Sequence, residues 1–336
     1  MKFASVLNKN NEERLCLLFN SQYADLSNEA QKLSISLPSK MSDFLELEEK
    51  GMELAQKVQN NLINGFDEVK PVKVLAPVPK PSSCRDGYAF RQHVASARKN
   101  RGLDMIPEFD QFPIFYFTNH NAVFGEGEIE VEKDHLEKLD FELEWAVVIG
   151  KKGKNITSQE ADKYIAGYTI MNDLSARFLQ MDEMKLNLGP AKGKDFATTI
   201  GPFMITPDEL ESRKIVTPFG NQYDLTMKAF HNGKQVSLGN TKDMTFTFAE
   251  IIERVSYGVE IHPGDIIGSG TVGTGCYLEL NGTWTREAKD RGEEFNPVWL
   301  EDTDDIVLEI DLLGNLENKI ILNPNSTSIL ALKKNI

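Results

Sequence analysis

The apolar positions of this chain follow two periods, and the shorter one is clearest in "LDFELEWAVVIG", residues 139 to 150. There Phe141, Leu143 and Trp145 alternate with Glu142, Glu144 and Ala146 before the run turns wholly apolar at Val147, which predicts a strand. Shorter strand patterns occupy 3 to 7 and 14 to 19 around the polar turn "NKNNEE", and "MSDFLELEEKGMELAQKVQNNLIN", 41 to 64, reads as helix. Pro71, Pro77, Pro79 and Pro81 then forbid a helix and favour an extended connector. A domain boundary near residue 72 follows, with a small leading domain over 1–72 and the main domain over 73–336. Beyond it "RDGYAFRQHVASARKNRG" is helix-like, strand patterns dominate from about 113 onward, and helices are predicted chiefly over 158–165, 174–184 and 246–256. The class is α+β, mainly β, without regular βαβ alternation, and no repeat of fixed period is visible.

The alternation puts Glu142 and Glu144 on one face, roughly 6.5 to 7 Å apart, where their charges repel. Either water screens them, as on any amphipathic strand with a wet face, or a cation does. The composition narrows the partners. With 51 acidic against 37 basic residues and a net charge of −14, the chain is repelled by nucleic acid and by anionic membranes, so both are excluded as expected partners. Its 336 residues, 40% of them hydrophobic, can bury a large core. Cys16, Cys84 and Cys276 are scattered and odd in number, with neither a thiol-metal spacing nor a disulfide framework, which fits a reducing cytoplasm. No signal-type apolar core or membrane-length apolar run is present.

Other segments supply polar groups, each with a plain structural alternative. Asp86 and His93 in "RDGYAFRQH" return to nearly one face if the intervening chain is helical, or belong to a solvated surface helix. In "GYTIMNDLSAR" an apolar strand ends at Asn172 and Asp173, where the aspartate is a ligand or a helix cap. Lys192 and Lys194 lie on the glycine-flanked loop "LGPAKGKDFATTIGP". "GSGTVG", 268 to 273, satisfies a dinucleotide fingerprint, but "TGCYLELNGTW" after it reads as strand where the fingerprint needs a helix, so a glycine-rich turn between strands is expected. Asp86, Glu142, Glu144 and Asp173 together offer four hard oxygen donors suited to Mg²⁺, Mn²⁺ or Ca²⁺ rather than zinc. His93 is the candidate general base and Glu279 its candidate orienting carboxylate.

In order and wording, these segments resemble the fumarylacetoacetate hydrolase family from about Val74 to Leu322. "APVPKPSSCRDGYAFRQH" is similar to the family's opening segment with a metal-ligating Asp86, a substrate-contacting Tyr88 and a catalytic His93. "LDFELEWAVVIG" is similar to its E-x-E strand and "GYTIMNDLSAR" to the segment with the last acidic ligand, Asp173. The resemblance further implies an active-site Lys194 with Thr198, substrate contacts from Arg177, Gln180 and Thr271, and Glu279 paired with His93. It implies a mixed β-sandwich roll after a small N-terminal domain, assembled as a homodimer and holding a divalent cation, Mg²⁺ or Mn²⁺ ahead of Ca²⁺. The implied activity is hydrolysis of a carbon–carbon bond in a small anionic diketo acid, an acylpyruvate or fumarylacetoacetate-like compound, by water activated at His93.

Two departures bear on the substrate. Fumarylacetoacetases proper carry a tyrosine where this chain has Met184, and an arginine where it has Gly102 beside Arg101. Decarboxylation, hydration and isomerisation of 2-oxo acids use the same metal ligands within the superfamily and stand as alternatives. A non-catalytic cation-binding protein, which would need neither His93 nor Glu279, is the alternative of another class.

Overall fold

The computed structural model describes residues 1–330, and among these a twelve-stranded sheet forms the centre. Its main path runs Glu68–Val69, Gln22–Asp25, Glu13–Phe19, Lys2–Leu7, Thr198–Ile205, Ile165–Asp173, Leu143–Ile149, Ile266–Gly268, Cys84–Gly87, Phe115–Thr118. Neighbours on this path are antiparallel except Ile266–Gly268 beside Cys84–Gly87, which are parallel. A second, five-stranded sheet is ordered Lys234–Asn240, Thr226–His231, Asp305–Ile310, Gly314–Leu322, Gly127–Val131.

The alternation of the glutamate strand explains how the layers stack. Trp145, Val147 and Ile149 face a core shared with Met227, Ala229, Leu308, Leu316 and Ile320 of the second sheet. Ala146 and Val148 face the opposite way, into a core shared with Phe3, Leu15, Leu17, Met41 and Phe44 of the leading segment. A strand buried on both faces has no solvated side, which is why its sequence ends in a continuous apolar run. Residues 1–72 share that core and that sheet, through Lys2 opposite Ile205 and Phe3 opposite Met204. The α+β, β-dominated architecture is as expected.

Several elements differ in detail from the sequence expectation. The 139–150 run is two strands, Leu139–Asp140 paired with Ser175–Ala176, and Leu143–Ile149. The helix predicted over 41–64 divides into Met41–Leu45 and Glu48–Asn61. "RDGYAFRQH" is not one helix: Asp86 lies on the strand Cys84–Gly87 and the helix is Arg91–Asn100. The largest correction concerns "CYLELNGTW", which is not a strand but the start of the helix Tyr277–Asp290. Its apolar positions Tyr277, Leu280, Trp284 and Ala288 recur at helical spacing, a period that outweighs the short alternation in "CYLEL".

Candidate active site

Three strands of the main sheet deliver acidic groups, with Ile266–Gly268 lying between Leu143–Ile149 and Cys84–Gly87. Asp86 comes from Cys84–Gly87, Glu144 from Leu143–Ile149, and Asp173 ends Ile165–Asp173. Glu142 stands in the break before its strand, where its N–H donates to Asn172 Oδ1 at 2.9 Å. Carboxylate oxygens of Asp86, Glu142 and Glu144 all lie within 4.8 Å of one another. All three residues are buried. Asp173 is outside this cluster of three. Its Oδ2 accepts from Lys194 Nζ at 2.8 Å and from the Tyr116 hydroxyl, and Thr198 Oγ1 donates to its Oδ1 at 3.5 Å.

Two buried cations stand on one side of the acids. Lys194 Nζ bridges Asp173 and Glu142. Arg177 donates from its η2 nitrogen to Glu142 Oε1 at 2.7 Å, from Nε to Asp140 Oδ2 at 2.8 Å and from its η1 nitrogen to Gln180 Oε1 at 2.9 Å. Burial alone would push Glu142 up, but these two charges overcome it and hold the carboxyl at about 2. The same pairing holds Lys194 above the ordinary lysine range despite its burial. Asp86 and Glu144 have no cation beside them. Burial and the nearby Asp173 push Asp86 up to about 7, and burial with the Asp86 charge drives Glu144 well above the carboxylate range. Three converging hard oxygens, from Glu142 that is already paired with two cations and from Asp86 and Glu144 that form no ion pair among the described residues, fit a divalent cation of the Mg²⁺, Mn²⁺ or Ca²⁺ kind.

The dyad sits on two helices. His93, buried in Arg91–Asn100, places Nδ1 2.7 Å from Glu279 Oε2 of Tyr277–Asp290. Half-buried Tyr88 sets its ring edge against the imidazole, with centroids 5.9 Å apart. The loop between Gly268 and the second helix ties this dyad to the acids. Gly270 N–H donates to Asp86 Oδ1 at 3.0 Å and Glu144 Oε2 at 3.1 Å, Thr271 Oγ1 donates to Glu144 Oε1 at 3.4 Å, and Thr274 N–H reaches Glu279 Oε2 at 3.1 Å. Gly270 must be glycine: its φ is +79°, and a Cβ would lie 2.7 Å from the Gly87 carbonyl oxygen.

The glycine loop is thus followed by a helix after all, as a dinucleotide fingerprint would require. The first two N–H groups of that helix, from Tyr277 and Leu278, are however taken by the buried carboxylate of Asp140 at 2.7 and 2.9 Å, where a pyrophosphate would need them. Asp140 is a residue that the sequence reading overlooked, as are Tyr116 and the amide role of Asn172. The signal for Asp140 was present: in "LDFELEW" the acids at 140, 142 and 144 are all on one alternation. Met184 and Arg101 are exposed at the ends of their helices, and Gly102 follows with a φ of +70°.

Comparison with known proteins shows the family and the fold. Residues 83–321 match the family described as fumarylacetoacetate hydrolase, C-terminal. The chain belongs to the fumarylacetoacetate hydrolase family. Among curated relatives, the fumarylacetoacetate hydrolase domain-containing protein 2 homolog of Dictyostelium discoideum is 29% identical over 312 residues, covering 92% of each chain. Oxaloacetate tautomerase YisK of Bacillus subtilis is 31% identical over 277 residues, covering 80% of this chain and 79% of its own. Among solved structures, the fumarylacetoacetate hydrolase of Exiguobacterium antarcticum superposes with a TM-score of 0.69 at 21% identity, covering 96% of this chain and 100% of that one, which establishes the shared fold. No helix among the described residues is long and apolar enough to cross a membrane.

Proposed function

We propose that this family member is a divalent-cation-dependent enzyme that moves a proton at the carbon beside the carbonyl of a small 2-oxo diacid, interconverting keto and enol forms of an oxaloacetate-like substrate. The observation that carries the reading is the buried His93–Glu279 dyad, tied by the loop around Gly270 to the cluster Asp86, Glu142 and Glu144. The similarity to an oxaloacetate tautomerase over most of both chains supports the substrate class.

Glu279 accepts the Nδ1 proton of His93, which leaves the lone pair on Nε2 free to take a proton. His93 then takes the proton from the substrate carbon and returns it to oxygen or carbon, so a C–H bond breaks as an O–H bond forms. Asp86, Glu142 and Glu144 would hold the cation, with Asp173 completing the acidic set across Lys194. When bound, the cation polarises the 2-oxo group and stabilises the enolate. Lys194 and Arg177 keep Glu142 ionised, ready to act as a ligand. Tyr88 packs against His93 and Thr271 bonds Glu144, which puts the two side chains beside the dyad and the acids where a substrate would bind.

Carbon–carbon hydrolysis of an acylpyruvate or fumarylacetoacetate-like acid is the second reading, favoured by the same dyad, since a carboxylate-oriented imidazole also deprotonates water. Two assays in Mn²⁺ separate them. For the first reading, the enzyme accelerates decay of the enol absorbance of freshly dissolved oxaloacetate, EDTA and His93→Ala abolish the effect, and no carbon dioxide appears beyond that released with Mn²⁺ alone. If the enol decay is unaffected and a 2,4-dioxo acid yields a new carboxyl group carrying ¹⁸O from labelled water, the hydrolytic reading replaces it. Release of carbon dioxide from oxaloacetate faster than with Mn²⁺ alone, and lost in His93→Ala, would instead assign a decarboxylase.

A further inference from the structure

Asp140 is wholly buried, yet its side chain belongs neither to the acidic cluster nor to the dyad. One oxygen accepts the Tyr277 N–H at 2.7 Å; the other accepts the Leu278 N–H at 2.9 Å and Arg177 Nε at 2.8 Å. The helix beginning at Tyr277 has no capping side chain of its own at Cys276, so its first donors depend on this distant carboxylate. Two residues into that helix stands Glu279, which orients His93. Arg177, on the other side, continues to Glu142 at 2.7 Å.

We propose that Asp140 is a positioning residue that fixes both halves of the site from one carboxylate, registering Glu279 against His93 through the helix start and limiting, through Arg177, the positive charge that bears on Glu142. The inference rests on the metal and dyad reading above. A guanidinium shared between two carboxylates leaves Glu142 enough negative charge to serve a cation. Without Asp140, Glu142 is the one carboxylate left to Arg177, and the cation must compete with the arginine for it.

The two arms separate in a mutant cycle read by Mn²⁺ calorimetry and steady-state kinetics, with circular dichroism as the check on folding. Asp140→Asn keeps one acceptor and loses the charge, so Mn²⁺ affinity and kcat should each fall about tenfold or more with KM nearly unchanged, as for groups that orient ligands without touching substrate. Adding Arg177→Met should return Mn²⁺ affinity to near the wild-type value while kcat stays low, because the helix anchor is still missing. If Asp140→Asn does not fold, Asp140→Glu carries the test: it keeps the charge but shifts the anchor, so Mn²⁺ affinity should hold and kcat should fall. Failure of wild type to bind Mn²⁺ would sink the metal reading itself. Wild type that binds, with Asp140→Asn equal to it in both affinity and kcat, or a Mn²⁺ loss that Arg177→Met does not relieve, overturns the positioning role alone.

Discussion

Glu142 and Glu144 are two positions apart in "FELEW" and share an alternation, but they end in opposite electrostatic surroundings. Glu142 touches Lys194 and Arg177 and is held at about 2; Glu144 meets Asp86, a hydroxyl and a loop N–H, and is driven well above the carboxylate range. Burial is nearly the same for both, so neighbours decide. The site therefore has a side whose charge is already balanced by the protein and a side whose charge is left for a cation to balance. Such a division leaves a cluster that folds with part of its charge paired and could still hold a metal ion.

The strongest way to break the contrast is to unbalance the balanced side. Lys194→Met leaves Glu142 and Asp173 buried without that cation, and the metal-free protein should lose about 3–5 kcal/mol in urea unfolding. Saturating Mn²⁺ should recover part of the loss, since a ligand that binds only the folded state stabilises it. A loss under about 1 kcal/mol would mean that the two sides do not differ as described.

Next in size, neutralising the unbalanced side should cost binding rather than stability. Glu144→Gln removes a carboxylate that folds at a disadvantage, so the metal-free melting temperature should not fall, while Mn²⁺ affinity in calorimetry should drop about 100-fold. Equal Mn²⁺ binding by wild type and Glu144→Gln would misplace the site.

Taken per pH unit, the smallest effect is the dependence on pH. Asp86 titrates at about 7 in the folded chain against 3.8 in its ordinary state, so between about pH 4 and 7 the folded protein keeps a proton that the unfolded one releases. Metal-free stability should therefore fall as pH rises through that window. Mn²⁺ must displace the proton, so affinity should climb about tenfold per pH unit below 7 for each proton released. Calorimetry in two buffers of different ionisation enthalpy counts those protons, and zero release at pH 6 would contradict the raised Asp86.

What the sequence disclosed here was governed by range. The glutamate strand was legible because alternation is a local property, and Asp86, His93 and Asp173 could be singled out as candidates because motif wording carried them. Residues whose role is a long-range contact were not: nothing near Asp140 says that it meets Tyr277, and nothing near Tyr116 says that it meets Asp173. Glu279 was assigned its partner correctly but placed on a strand, because "CYLEL" satisfies the two-residue period over a shorter span than the helical one. Arg177 and Gln180, expected at the substrate, are bonded to one another, and Arg177 to the buried acids Asp140 and Glu142, a detail that depends on which way a side chain turns.

The pairing of Lys2–Leu7 with Thr198–Ile205 has a practical consequence for anyone who trims this protein to its family-matching part. Residues 83–321 look self-sufficient on paper, yet cutting away the first 72 would bare the backbone edge of Thr198–Ile205 and uncover Met171, Ile200, Met204 and Ile266. An unpaired edge beside fresh apolar surface is a template for aggregation. A truncated catalytic fragment should accordingly collect in inclusion bodies, and co-expressing the missing segment as a separate chain is the remedy this topology favours.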